Sequence, residues 1–137
     1  MKLFVDSWGW VAVADRKDPG HGEATEIFRQ ARRSGGAITS NFILDETFTL
    51  LFRRRPFEDA WRFATTIVQS PFIDIQEVSA ARFSKTIELR KQFSDKPRIS
   101  FTDLSTMAVM VELGVTDILT ADRHFTHVGL GFRVLPQ

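Results

Sequence analysis

The chain has 137 residues, 43% of them hydrophobic and 13 of them Phe, which suffices to close one core and leaves little room for a second. Its 18 basic and 17 acidic side chains leave a formal charge of +1; this excludes strong bulk attraction to a polyanion, so any nucleic-acid binding must come from local patterning. Cysteine is absent, which excludes disulfides and thiolate metal sites and fits the reducing cytoplasm, the expected location.

In chain order, Leu3-Phe4-Val5 predicts a short buried strand, and Asp6-Ser7 the cap of a helix from Trp8 to Ala14. Asp6 also interrupts the apolar run before a signal-peptide core can form, and no later stretch approaches the roughly 20 apolar residues that span a bilayer. Asp18-Pro19-Gly20 marks a turn, and the helix from His21 to Arg33 sets Ala24, Ile27, Phe28 and Ala31 on one side. Ser34-Gly35-Gly36 stops it. A second strand follows at Ala37-Ile38-Thr39, then a helix from Phe42 to about Phe52 capped by Ser40 or Asn41.

Pro56 opens a helix reaching Ile67, and Phe72 to Val78 predicts a third strand. A helix from Ala80 to Phe93, a polar loop at 94–98 and a helix from Phe101 to Leu113 closed by Gly114 come next. The strand Asp117 to Thr120, a loop, and a last strand near Phe132-Arg133-Val134 end the chain. Strands alternating with helices predict an α/β fold: a single-domain three-layer sandwich over residues 1–137, with a mostly parallel central sheet and helices on both faces.

In such a sheet the functional crevice lies beyond the carboxyl ends of the strands. Asp6 closes the first strand, Asp122 lies just past the fourth, and Glu46 and Asp103 fall early in helices whose N-termini face the same edge. Each has an ordinary structural explanation as well. Asp6 can cap a helix, Asp103 stands three residues after Ser100 as in a capping box, and Asp122 suits a turn. Glu46 is placed on a largely apolar stripe by Phe42, Ile43 and Leu50, whereas Asp45 looks solvated. Four ionised carboxylates at one edge repel one another unless a counter-charge is supplied, and hard oxygen ligands suit Mg²⁺ or Mn²⁺. That chemistry points to phosphodiester cleavage.

At these residues the sequence resembles the PIN-domain family, in particular the VapC group of bacterial and archaeal toxins. The opening Phe4-Val5-Asp6-Ser7, the segment Asn41 to Phe48 containing Glu46, Ser100 to Ser105 containing Asp103, and Leu119-Thr120-Ala121-Asp122-Arg123-His124-Phe125 resemble the family's four acidic motifs, in order along nearly the whole chain. The resemblance implies a metal-dependent endoribonuclease, the toxin of a type II toxin-antitoxin pair. Asp6, Glu46, Asp103 and Asp122 would be its metal ligands and catalytic acids, and Ser7 and Thr120 hydrogen-bonding supports behind them. It further implies a homodimer and a small antitoxin. Where some relatives carry another acid after the fourth motif, this chain has Arg123 and His124, which leaves the number of metals open.

Arg53-Arg54-Arg55 followed by Pro56, Phe57 and Trp61 offers a candidate RNA contact, equally explained as a solvated helix end. His124 and His127 stand three apart without the further ligands zinc needs. Trp8, Trp10 and the many Phe residues are expected in the core or at a dimer contact. Two rival readings remain: a PIN-like module that binds RNA or protein without cutting, and a receiver-like phosphoacceptor domain, which would need an acidic acceptor at the end of the third strand, where the chain instead has Asp74 in the interior.

Overall fold

Short apolar runs bounded by polar caps build the sheet. In the computed structural model, which describes residues 2–137, the strands are β1 (Leu3–Val5), β2 (Ala37–Ser40), β3 (Ile73–Gln76), β4 (Asp117–Leu119) and β5 (Arg133–Leu135). They lie in the order β3-β2-β1-β4-β5, and every neighbouring pair is parallel. The central strands β1 and β2 are buried along their whole length, as expected of a parallel sheet covered on both faces. The edge strand β3 exposes Asp74 and Ile75.

The helices are α1 (Ser7–Ala14), α2 (His21–Ser34), α3 (Asn41–Arg54), α4 (Phe57–Gln69), α5 (Ala80–Gln92) and α6 (Phe101–Leu113). From β1 through β2 to β3 the chain steps in one direction; from β3 it then jumps back past β2 and β1 to β4. Right-handed crossovers therefore lay α1 to α4 over one face and α5 and α6 over the other. The packing agrees: α1 meets α2 and α3, α3 meets α4, and α5 pairs with α6. The direction of winding reverses between β1 and β4, and the crevice expected there is where ligands bind in open parallel sheets.

Two contacts fix that crevice. Gly9 of α1 lies so close to β4 that an added Cβ would stand 2.9 Å from Leu119 Cγ and 3.0 Å from its carbonyl oxygen. Across α1, β2 and β1, Trp10 Nε1 donates to Thr39 Oγ1 at 3.1 Å, and that hydroxyl donates to the Val5 carbonyl at 3.1 Å. Trp10 is thus a core residue, as expected. Trp61 is not; it is exposed on α4, its ring stacked 5.9 Å from that of Phe57.

Four local expectations are refined. The third strand is shorter than the apolar run because the Val78 N–H donates to Asn41 Oδ1 at 2.7 Å instead of joining the ladder. Asn41 being so engaged, Ser40 caps α3, its Oγ accepting from the Ile43 N–H. The loop after β4 contains a 3-10 turn, Arg123–Thr126. The last strand begins at Arg133 rather than Phe132. Receiver-like domains place a different strand beside the first, and Asp74 is an exposed residue inside β3, hydrogen-bonded by Gln76 Nε2; the phosphoacceptor reading is therefore set aside.

Candidate active site

Asp6 ends β1, and the chain turns there directly into α1. Its backbone is extended, its Oδ1 accepts from the Ser7 N–H at 2.8 Å, and it therefore serves as the N-cap of α1. Its backbone N–H donates to the Leu119 carbonyl at 3.1 Å, which ties the ends of β1 and β4 together. Oδ2 accepts from Thr120 Oγ1 at 2.7 Å. Capping is thus a real role for Asp6, but it accounts for one oxygen only. Burial pushes its carboxyl above the usual range, and the charges of Glu46 and Asp122 push the same way, against the hydrogen bonds from Thr120 and Ser7.

Thr120 serves two acids at once. While donating to Asp6, its Oγ1 accepts from the Asp122 N–H at 3.0 Å. Asp122 begins the 3-10 turn, its Oδ1 accepting from the His124 N–H at 2.8 Å. Asp103 approaches from the other side, in the first turn of α6, where Ser100 Oγ caps the helix by accepting from the Asp103 N–H at 3.0 Å. Ligand atoms of Asp103, Asp122 and His124 all lie within 4.8 Å of one another.

The Asp103 carboxyl is pushed up to about 8, first by burial, then by its hydrogen bond to Asp122 and the charges of Asp6 and Asp122. For Asp122, burial acts upward but is outweighed by hydrogen bonds from Asp103 and the His124 N–H and by the His124 side chain, so its carboxyl is lowered. Two carboxyls this close repel when both are ionised, so burial and the neighbouring Asp122 favour the protonated form of Asp103.

Glu46 reaches the same cluster by a different route than its sequence position suggests. The buried stripe of α3 is Ile43, Leu44, Thr47 and Leu51, and Glu46 stands beside it, exposed. Residues four apart share a helix row, and the row of Glu46 holds Phe42 and Leu50, which are only half-buried, so it lies at the margin of the apolar face. It therefore escapes the burial cost expected from the sequence. Its Oε1 accepts from Ser7 Oγ, while the Ser7 N–H is held by Asp6. One residue thus aligns two acids. Asp45 is exposed, as expected.

All four acids predicted from the sequence therefore meet at one edge, with Ser7 and Thr120 between them. Sequence reasoning did not place His124 in this set. Its Nδ1 lies 3.1 Å from Asp122 Oδ1, and the signal for it was its place just after the fourth motif, where some relatives carry a further acid. The arginine triplet is divided: Arg55 pairs with Asp15 at 3.3 Å and Asp59 at 3.7 Å, while Arg53 and Arg54 are exposed at the end of α3.

No Lys or Arg pairs with Asp6, Glu46, Asp103 or Asp122 among the described residues. Like charges so gathered have the oxygen donor set that a hard divalent cation takes. Carboxylate oxygens are the donors Mg²⁺ and Mn²⁺ favour.

The sequence model of the PIN domain matches residues 3–130. A 23S rRNA-specific endonuclease of Mycobacterium tuberculosis, VapC20, is 31% identical over 127 residues, spanning 93% of this chain and 94% of that protein. The crystal structure of VapC20, described as a sarcin-ricin loop cleaving toxin, superposes with a TM-score of 0.81 at 28% identity and covers 93% of this chain and 95% of its own. At 13% identity the fold alone is shared with VapBC2 of Rickettsia felis bound to a DNA fragment from their promoter (TM-score 0.77, covering 98% and 97%). The same holds for FitAcB of Neisseria gonorrhoeae at 13% identity (TM-score 0.66, covering 96% and 95%).

Proposed function

The chain belongs to the PIN-domain family, and from that premise we propose that it is a metal-dependent endoribonuclease, the toxin of a type II toxin-antitoxin pair. The observation that carries this reading is the gathering of Asp6, Glu46, Asp103 and Asp122 at the β1/β4 crevice, with His124 beside Asp122 and no Lys or Arg partner among the described residues. These four are the proposed metal ligands and catalytic acids, and Mg²⁺ or Mn²⁺ the proposed cofactor. When bound, the cation supplies charge to offset the scissile phosphate and to acidify a water.

The chain's own residues prepare the place. Ser7 N–H and Thr120 Oγ1 each occupy one oxygen of Asp6, which fixes the carboxylate plane and leaves each oxygen a second lone pair. Ser7 Oγ holds Glu46, and Thr120 Oγ1 anchors the backbone of Asp122. Asp103, its carboxyl raised by burial and by Asp122, would face any bound cation together with Asp122. Hydrolysis then adds one water across a P–O ester bond: the water oxygen bonds to phosphorus, one proton goes to the surrounding carboxylates and the departing ester oxygen takes up a proton.

The 31% identical relative is named for its action on 23S rRNA, which makes ribosomal RNA the first substrate to try. Neighbours of the same fold are VapBC2 of Rickettsia felis and VapBC of Salmonella typhimurium, each bound to DNA; a small antitoxin as partner and a homodimer acting in the cytoplasm belong to the same reading. No helix is long and apolar enough to cross a membrane among the described residues. Purified protein is expected to cleave RNA when Mg²⁺ or Mn²⁺ is added. Asp103→Asn, whose amide can still donate to Asp122, is expected to stay folded and lose about 10–100-fold in rate, the scale on which residues supporting a metal act. Equal rates would remove Asp103 from the mechanism, and a wild type that binds RNA without cutting would favour the non-catalytic module.

A further inference from the structure

An acidic crevice repels the RNA it must hold. The cation offsets repulsion at the scissile phosphate, but neighbouring phosphates need basic groups of their own, and a formal charge of +1 provides no general attraction. Beside the acids the chain forms a cavity of about 310 Å³, lined by residues 95–99, the acid Asp95 among them, and by His124 and His127. It joins the acidic cluster through His124, which forms part of its wall and at the same time lies 3.1 Å from Asp122.

The cavity wall is pre-formed. Arg90 of α5 sends its guanidinium into the 93–99 loop and donates to three carbonyls: Ile99 at 2.6 Å, Phe93 at 2.8 Å and Lys96 at 2.7 Å. A loop pinned at three points presents its side chains without the ordering cost a mobile one would pay on binding. The same loop runs into Ser100 and the first turn of α6, so the backbone that shapes the cavity also sets Asp103. Lys96 is occupied by Asp95 at 2.9 Å, which neutralises the one acid on that wall. Arg98 and His127 are exposed and form no ion pair among the described residues.

Resting on the nuclease reading above, we propose that this cavity is a nucleotide subsite that holds the residue adjoining the scissile phosphate in a single-stranded stretch of RNA. Arg98 and His127 contact its phosphate: guanidinium is a strong, fork-shaped phosphate donor, and an imidazole N–H donates in either protonation state. Pro97 and the His127 ring, both exposed, supply apolar and π surface for the base. Its size suits one nucleotide, at the lower end of ligand pockets in general. Arg90 is a positioning residue that acts through the loop.

The test measures binding and turnover separately. With a short single-stranded RNA oligonucleotide in EDTA at low salt, followed by fluorescence anisotropy, Arg98→Ala and His127→Ala are each expected to weaken binding several-fold. The slope of log affinity against log salt should fall by about 0.7 for Arg98→Ala, the value for one phosphate contact on a single strand. In Mg²⁺, both variants are expected to raise KM with kcat largely kept, the signature of binding lost equally in ground and transition states. Arg33→Ala, an exposed cation at the far end of α2, serves as the control and should change neither. Wild-type affinity, salt slope and KM in Arg98→Ala and His127→Ala would overturn the subsite while leaving the nuclease reading intact. A wild type that cuts no RNA, but whose binding falls in these variants, would instead overturn the nuclease reading and keep the subsite.

Discussion

At Asp103 a single proton connects stability with the site. Its carboxyl titrates near 8 in the folded protein against an ordinary value of 3.8. The unfolded chain therefore gives up this proton at lower pH than the folded one, and stability due to Asp103 is greatest below about 4 and is lost as pH rises to about 8. Asp6, also raised by burial, acts in the same direction, whereas Asp122, lowered, opposes it. In EDTA, the wild-type melting temperature is expected to fall between pH 5 and pH 8 more steeply than that of Asp103→Asn, which has no proton to lose there. Parallel curves for the two proteins, measured by circular dichroism, would rule out a proton held at this carboxyl. The acids themselves were legible in the sequence because the ends of strands and starts of helices can be read from local signals. The environment of Glu46 was not. Its nearest apolar neighbours in sequence suggested burial, but which helix row faces the core depends on the angle at which α3 packs, and that is set by distant residues.

Among the elements, the seating of α1 on β4 decides whether Asp6 and Asp122 face each other. Gly9 permits it, because any side chain there would meet the Leu119 carbonyl oxygen as well as its side chain. Gly9→Ala is expected to cost about 1–3 kcal/mol, the usual range for overpacking, and to reduce RNA cleavage by shifting Asp6 away from Thr120 and Asp122. Gly22→Ala, on the exposed face of α2 with nothing within 4 Å of the new methyl, should be neutral or slightly stabilising because Ala is the better helix former. Thermal melts and cleavage rates of the two variants provide the check, and a Gly9→Ala protein as stable and active as Gly22→Ala would show that α1 can move without consequence. The helices were legible in the sequence from their caps: Ser40 and Ser100 accept the expected first-turn N–H bonds. What stayed hidden were bonds between segments far apart in the chain. Asn41 takes the Val78 N–H that would have extended β3, and Arg90 shapes the 93–99 loop from within α5; neither has a signature in its own neighbourhood.

For the molecule as a whole, the strand order β3-β2-β1-β4-β5 brings residues 6, 46, 103 and 122 together, so no part of the chain can form the site by itself. A cation bound by these four ligands is bound by the folded state and hardly at all by the unfolded one, in which the acids are separated by tens of residues. Mn²⁺ should therefore stabilise against global unfolding, by about 2.7 kcal/mol at a hundredfold excess over its dissociation constant. In urea this appears as a higher midpoint with an unchanged m-value, because the surface exposed on unfolding is the same with and without the ion. Asp103→Asn, lacking one ligand, should show a smaller shift at the same Mn²⁺ concentration. A changed m-value would mean that the metal orders only part of the chain, and an identical shift in the variant would mean that the ion binds somewhere other than the crevice between β1 and β4. The distinction matters because these acids are mutually repulsive when no cation is present: burial and Asp122 raise the Asp103 carboxyl, and a divalent ion that offsets the repulsion should make the site a net source of stability at neutral pH.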